Sequence, residues 1–535
     1  MHAPPEPGAP RPVAPDASRA ATAPLRAPAP TPVGGDERRL HPWSWLFVLL
    51  QQLRQFIVPL LVLVFLGRGD RYALWPLVGV AALAAASVWR YCTYRYRVDG
   101  DRLVVREGLF ERQVRQVPFA RIHNVALHQT LLHRLFGVAE VRLESAGGTR
   151  PEAEMRVLRM EDALALERLI RGHGVAGPDA DANPDPCAAA GEAAGAVATG
   201  EGRLLLALQG AELVRLGLVS NRGMVVVAGA FALSWQALPD RMLAVAVQDA
   251  AGRIFGYASS LAEGTVARAA AMALVVVLAL ALLRLLSVAL ALLQYHGFRL
   301  LLQGRRLTVE RGLLTRIRTS APRRRIQSWS LREGLFHRLL RRRSLHVDTV
   351  ASAGEGGEQR GLRELAPIAT PAACDALVRD VLPGATWPPV GWRRLHPRAW
   401  QRLALPGLAL SGIATIAACR YAGPVGLLAL AWAPWAVHAA RQHARRAGYA
   451  LDARLVAVRQ GWWARQWRFA EIDKLQALRL EQSPLDRWFG MATLSLDTAG
   501  ARPTTLLRLR FMPEAEARAL HGRLARELAR LPLRW

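Results

Sequence analysis

One stretch is written three times in this chain, and repetition in register restricts the possible folds to an array of one small module. In the first copy, residues 96–148, Gly108 precedes Ile122 by fourteen residues, Gln129 by twenty-one, Arg134 by twenty-six and Glu144 by thirty-six. The second copy, residues 298–351, repeats those offsets with Gly312, Ile326, Glu333, Arg338 and Asp348. The third, residues 449–500, repeats them with Gly461, Leu475, Gln482, Arg487 and Asp497.

Within a copy the pattern is that of a small sheet. Residues 97–105 read strand, tight turn, strand, with Asp99-Gly100 supplying the turn chemistry. Further strands are predicted at 112–118, 122–127, 139–145 and around 155–159. In the third of these, Val141 and Leu143 point one way and Arg142 and Glu144 the other. Residues 131–136 form a short helical turn closed by Gly137, and 161–171 carry Leu164, Leu166, Leu169 and Ile170 at helical spacing. The other copies end in helices at 371–381 and 513–531, each opened by a proline that suits a first turn. The second copy departs at Arg341, which stands where the others have Gly137 and Gly490, so its loop is expected to differ in shape.

Between the copies lie apolar runs. A mean hydropathy of +0.12 beside a net charge of +28 requires apolar and charged residues to be segregated along the chain. Residues 43–66 are almost wholly apolar and, at about 1.5 Å per residue, long enough for a hydrocarbon core of roughly 30 Å. A second run at 72–89 makes a hairpin with the first, with Trp43, Trp45, Tyr72, Trp89 and Tyr91 at the ends where an interfacial aromatic belt sits. The opening Arg38-Arg39-Leu40-His41-Pro42 returns as Arg393-Arg394-Leu395-His396-Pro397, ahead of a hairpin at 400–419 and 426–440. The middle hairpin, 213–235 and 269–293, is interrupted at Asn221-Arg222-Gly223. Six spans in three hairpins follow. The predicted order is a Pro/Ala-rich tail over 1–37, hairpin 38–94, module 95–172, linker 173–202, hairpin 203–296, module 297–383, hairpin 384–443 and module 444–535. Tail and linker have too few packing residues to order themselves.

A hairpin returns to the side it left, so the tail and all three modules share one compartment. Arginines flanking the runs on that side, among them Arg38, Arg39, Arg90, Arg95, Arg393, Arg394, Arg441, Arg445 and Arg446, outnumber Arg68, Arg71 and Arg420 opposite, and the positive-inside bias makes it the cytoplasm of a bacterial cell with an inner membrane. The cationic excess is then matched to the anionic bilayer surface, not to nucleic acid.

The residues also match a known pattern. Glu107-Gly108-Leu109 after a strand pair, then Pro118-Phe119-Ala120-Arg121-Ile122, Leu132-His133-Arg134-Leu135-Phe136-Gly137 and Ser145-Ala146-Gly147-Gly148 together resemble the bacterial pleckstrin-homology-like (PH-like) domain of YdbS/YdbT-type membrane proteins. Three hairpin-plus-domain units look like the longer, YdbT-type members. The resemblance implies an α+β multi-domain membrane protein in which each hairpin is followed by a small, partly open β-barrel or sandwich capped by a C-terminal helix. It also implies a partner of similar build, a one-domain YdbS-type protein, or self-association.

For function, the clusters Arg323-Arg324-Arg325 and Arg341-Arg342-Arg343 are the candidate lipid-phosphate or ligand sites, since grouped guanidinium ions pair with phosphate; a plain solvated basic face is the competing reading. Arg54 and Arg284 fall inside apolar runs, where charge is costly and marks either a polar path or a structural contact. His123, His128 and His133 recur every five residues but fall on a strand, a loop and a turn, without metal-ligand spacing. Cys92, Cys187, Cys374 and Cys419 are scattered and suggest neither zinc nor a disulfide framework. No nucleophile elbow, phosphate-binding loop or dinucleotide fingerprint is present, so neither catalysis nor a cofactor is expected. The leading expectation is a non-enzymatic membrane scaffold whose modules bind a partner protein or lipid headgroups. The alternative is a transporter or envelope-defence factor with a polar path through the six spans.

Overall fold

The computed structural model describes residues 38–47, 49–50, 75–108, 113–145, 153–173, 202–237, 244–245, 247–250, 252–253, 256, 264–349, 362–499 and 506–530. The tail, nearly all of the linker, and most of the first apolar run, Arg54 included, lie outside them.

Each module contributes seven strands. In the first they are β1 (Arg38–Arg39), β2 (Arg95–Asp99), β3 (Arg102–Glu107), β4 (Gln113–Pro118), β5 (Ile122–Gln129), β6 (Val138–Ser145) and β7 (Ala153–Arg159). The second has β8 (Arg203–Ala207), β9 (Arg299–Gln303), β10 (Arg306–Arg311), β11 (Arg316–Pro322), β12 (Ile326–Glu333), β13 (Arg343–Thr349) and β14 (Glu364–Ala369). The third has β15 (Arg393–Arg394), β16 (Gly448–Leu451), β17 (Leu455–Gln460), β18 (Arg465–Glu471), β19 (Leu475–Glu481), β20 (Met491–Thr498) and β21 (Leu507–Pro513).

The helices are α1 (Trp75–Thr93), α2 (Leu131–Leu135), α3 (Met160–His173), α4 (Gly210–Val219), α5 (Arg222–Ala237), α6 (Thr265–Tyr295), α7 (Leu335–Leu339), α8 (Pro371–Val381), α9 (Ala399–Ala422), α10 (Trp432–Arg446), α11 (Pro484–Trp488) and α12 (Glu514–Arg530).

A module is two sheet layers closed by its terminal helix. In the first, Leu103, Val105 and Val117 of one layer face Val125, Leu127, Val141, Leu143 and Met155 of the other, with Ala163, Leu166 and Ile170 of α3 sealing the side. Each of these side chains is nearly or wholly buried, and burial is the main stabilising term for so small a sheet.

The layers do not close into a barrel within one module, so of the two expected forms each module is the sandwich capped by a helix. A single 3-10 turn, Phe119–Arg121, Arg323–Arg325 or Ile472–Lys474, separates the fourth and last strand of the first layer from the opening strand of the second. That turn redirects the chain to the other layer, so the two strands cannot pair as a hairpin, and β11 instead pairs antiparallel with β5 of the preceding module. β18 pairs in the same way with β12. The result is two seven-stranded sheets that run across the module boundaries, a four-stranded sheet at the N-terminal end and a three-stranded one at the C-terminal end.

The second joint is packed by aromatic rings. Phe469 is fully buried, stacked on Trp329 at 6.0 Å between centroids and against Trp387 at 4.2 Å. Trp387 Nε1 donates to Asp375 Oδ1 at 2.8 Å, and Arg343 lies 4.7 Å over the Trp467 ring.

Gly312 and Gly461 explain one recurring glycine. They take φ of 111° and 94°, and a Cβ there would collide with the carbonyl of Thr315 or Ala464 across the turn. Arg341 holds φ at 51°, close to Gly137 at 63° and Gly490 at 70°. The turn in the second module therefore keeps the shape of the others, against the expectation from sequence, and carries backbone strain instead.

Among the described residues, two helical stretches are long and apolar enough to cross a membrane, Thr265–Tyr295 and Ala399–Arg446, and a third is added if the pair Gly210–Val219 and Arg222–Trp235, bent by 53°, counts as one span. The 48-residue stretch doubles back on itself. A Cβ on Gly407 would sit 2.8 Å from the Ala436 Cβ, so α9 and α10 lie side by side. Six spans are thus not all found among the described residues: most of the first apolar run lies outside them, and Val78–Thr93 is apolar but shorter than a full span.

Phe469→Ala is expected to remove about 3 to 5 kcal/mol by emptying the ring stack, read as earlier protease cleavage between the second and third modules in the detergent-solubilised protein. Arg341→Gly is expected to raise the unfolding midpoint, by up to about 1 kcal/mol of stability, because glycine carries no penalty at positive φ.

Candidate functional site: the face of the modules that adjoins the membrane helices

One end of each module is fixed against the apolar helices. The turn between β10 and β11 is hydrogen-bonded to the last turn of α6, Gly312 N–H to the His296 carbonyl and Leu313 N–H to the Leu293 carbonyl, both at 2.9 Å. Beneath it a charged junction ties helices to sheet. Arg311 donates to Glu364 at 2.8 Å, the Tyr295 hydroxyl donates to the same carboxylate, and Arg222 donates to Tyr295 and lies 4.5 Å over its ring. Burial pushes the Glu364 carboxyl up, but Arg311 and the Tyr295 hydroxyl outweigh it and hold the group below the ordinary glutamate range.

The short helices α2, α7 and α11 are at this same end. Phe47, at the start of the first apolar run, stacks on His133 of α2 at 4.2 Å, and Trp43 packs on Phe136 at 5.0 Å. Arg284 lies over the Phe336 ring of α7 at 4.9 Å. Arg284 is eleven residues before the end of α6, about 16 Å down its axis, so α7 lies alongside the apolar helix and not above it. Arg402 in the first turn of α9 reaches Asp486 of α11 at 3.2 Å.

All three short helices turn large apolar side chains outward. Leu135, Leu339 and Trp488 occupy the same position in the three copies and are 77%, 79% and 78% exposed. Leu131, Leu132, Leu335, Phe336 and Leu485 are exposed beside them, as are Leu313, Leu314 and Trp463 on the neighbouring strand turns. Exposed bulky apolar residues in one row are an interaction surface, not a soluble face. An arginine, Arg134, Arg338 or Arg487, precedes each apolar tip. In the sequence, residues 131–136 show only a short helical turn; the one trace of this row is an apolar residue recurring directly after the repeated arginine.

The two arginine clusters fall at opposite ends of β12, about 26 Å apart for an eight-residue strand. Arg341–Arg343 is at the membrane-helix end. There Arg342 makes a two-pronged pair with Glu212 of α4 at 2.7 and 2.9 Å, and Arg343 pairs with Glu333 at 3.0 Å, so both are committed to the fold; Arg341 is exposed. Arg323–Arg325 is on the 3-10 turn at the far end. Burial, with Arg324 and Arg306 nearby, pushes Arg325 down to about 10, and burial also lowers Arg323, near Glu471. The cluster sits at the end of β12 away from the membrane-helix end.

Arg284 is likewise engaged. It donates to the carbonyls of Leu218 and Ser220 at 3.2 and 3.3 Å and to Asn221 Oδ1 at 3.1 Å, closing the break between α4 and α5. Gly223 N–H donates to Ser287 Oγ at 2.9 Å on the other side of that break. Of the sequence histidines, His133 bonds Thr130 Oγ1 at 2.6 Å, and His128 lies on β5 opposite Ile317 in the first joint.

A family model described as the bacterial PH domain matches the chain three times, at residues 46–173, 254–370 and 406–528. The chain belongs to the bacterial PH domain family. Each match takes in apolar-helix sequence as well as the sheet, the middle one only that of Thr265–Tyr295. The chain is also similar to the UPF0699 transmembrane protein YdbT of Bacillus subtilis (strain 168), 20% identical over 494 residues, covering 90% of this chain and 97% of that protein. Its layout is that of the YdbT type, a membrane protein with three bacterial PH domains. No solved structure matches it.

The Glu364 junction is open to test by pH. Its folded pKa is lowered, so the stability it contributes is present above the unfolded value of 4.5 and is lost as pH falls through the folded value. Glu364→Gln should cost about 2 to 4 kcal/mol near neutral pH by removing the carboxylate charge to which Arg311 donates. It should also flatten the acid limb of the stability profile, measured by unfolding in detergent between pH 7 and 3.

Proposed function

We propose that the protein is a non-enzymatic, multi-pass component of the bacterial inner membrane that seats its three PH-like modules on the cytoplasmic leaflet, where they bind anionic lipid headgroups and protein partners of similar build. The observation that carries this reading is the threefold recurrence of Leu135, Leu339 and Trp488, each exposed at the tip of a short helix and each preceded by an arginine. An apolar tip immersed at the interface gains the transfer free energy of its side chain, and a guanidinium beside it, such as that of Arg338 or Arg487, can reach up to phosphate. A polybasic surface adds roughly 1 kcal/mol per cation near an anionic leaflet.

Six spans in three hairpins belong to the same reading. The pairs β1 with β2, β8 with β9 and β15 with β16 join the residues before each hairpin to those after it, so each hairpin leaves and re-enters on one face. The arginine bias gives that face its cytoplasmic side. Protein partners of similar build would be a one-domain family member or a further copy of this chain. The recurrent exposed groups are apolar and cationic, a recognition surface without a nucleophile among them, which favours a scaffold over an enzyme.

The test is a depth measurement in proteoliposomes. In a chain whose four native cysteines are replaced by alanine, an environment-sensitive fluorophore on Leu339→Cys should emit to the blue and be quenched by spin-labelled lipid. The same fluorophore on Arg324→Cys, at the far end of β12, should be quenched little. Equal, weak quenching at both positions would refute the seating.

A further inference from the structure

The two joints inside the chain have one and the same register. In the first, Ile317 faces His128, Arg318 faces Leu127, Thr319 faces Ala126 and Ser320 faces Val125. In the second, the residues at the same repeat positions face each other: Gln466 with Arg332, Trp467 with Leu331, Arg468 with Ser330, and Phe469 with Trp329. A joint therefore needs two halves, the last strand of a first layer and the opening strand of a second layer one module earlier.

The ends of the array each hold one unmatched half. β4 is the first module's counterpart of β11 and β18, and among the described residues it pairs only with β3. β19 is the third module's counterpart of β5 and β12, and among the described residues it pairs only with β20. Exposure follows pairing. Gln113, Val114, Arg115 and Gln116 of β4 are exposed, whereas Ser320 and Phe469, the counterparts of Gln116, are buried in their joints. Ala477 and Arg479 of β19 are exposed, whereas Asn124 and Ala126 or Ser328 and Ser330 at the same positions are buried. β19 also keeps the irregularity near its start that β5 and β12 have against their hairpin partners, so it is already shaped like a joint-forming strand. Neither open edge carries an interior proline, a common protection of free strands.

We infer that β4 of one copy pairs antiparallel with β19 of a second copy, repeating between chains the joint used twice within the chain. The interface is heterologous, head to tail, and with every copy held in the bilayer it grows sideways in the membrane plane into a ring or a row. The shared register sets Val114 opposite Leu480, Gln113 opposite Glu481, Gln116 opposite Leu478 and Arg115 opposite Arg479. Val114 and Leu480 cover each other. The two arginines oppose association, relieved in part by Glu481, which lies 3.1 Å from Arg479. This inference concerns the strand edges and stands apart from the seating of the short helices: headgroup contact can fail while the chains still join, and the converse.

The experiment uses the full chain in membranes. Two differently tagged copies, native cysteines replaced by alanine, carry Val114→Cys and Leu480→Cys and are co-expressed and mildly oxidised. A disulfide-linked species bearing both tags is expected, with far less from the mis-registered pair Val114→Cys and Gln476→Cys. A second measurement guards against a strained disulfide. Arg115→Glu or Arg479→Glu alone should strengthen association about two- to fivefold by replacing like charges with opposite ones, while the double reversal should return it towards the parent value. The inference is overturned if no mixed-tag species forms and association ignores these charges, if cross-linking of a doubly substituted copy stays within one chain, or if the edges prove to be occupied by a different protein.

Discussion

Edge-to-edge pairing of β11 with β5 and of β18 with β12 sets the position of everything else in this molecule. Each pairing consumes the strand edge that a lone module would have to protect, and it replaces three separate sandwiches by a continuous beam. The cause is local. A three-residue 3-10 turn between layers prevents a module from closing on itself, so its outward edge must find another strand of the same kind. The nearest such strand is in the neighbouring copy. Side chains then lock the contact, with Phe469 between two tryptophans in one joint and Arg134 donating to the Leu313 carbonyl at 3.2 Å in the other.

Because the beam is continuous, the apolar helices joined to its modules cannot tilt independently. Charge holds the second attachment: Glu364 gathers Tyr295, Arg311 and Arg222, and Glu212 takes both prongs of Arg342. Partly buried pairs of this kind add less to stability than to geometry, since their desolvation cost offsets much of the attraction. Their effect is to fix the angle at which sheet meets helix. That angle brings α2, α7 and α11 level with the apolar helices and turns the same apolar position outward three times.

Much of the fold was legible from the residues. Asp99-Gly100 marked the first turn, alternation at Val141 to Glu144 marked β6, and helical spacing at Leu164 to Ile170 marked α3, because those signals depend only on neighbours along the chain. β8 was not legible. Its residues, Arg203–Ala207, looked like the flank of a membrane helix, and only pairing with β9 makes them a strand. The candidate site was legible as charge but not as place. Runs of arginine gave no indication that Arg342 and Arg343 would be used up by Glu212 and Glu333, or that Arg323–Arg325 would sit at the other end of the same strand. For Arg284 the sequence left a polar path and a structural contact equally open, and its bonds to the carbonyls of Leu218 and Ser220 make the contact.

The sequence by itself determined the repeat, the alternation of apolar runs with small sheets, and the family, since all three are periodic properties of a linear text. Partnership was decided only by the tertiary structure. A strand's sequence states which face is buried, by alternation, but says almost nothing about whose backbone lies along its edge, because main-chain groups are the same in every residue. The same limit applied to the arginines, whose role depends on which carboxylate is within about 3 Å. Local periodicity wrote the modules; the meeting of identical backbone edges arranged them.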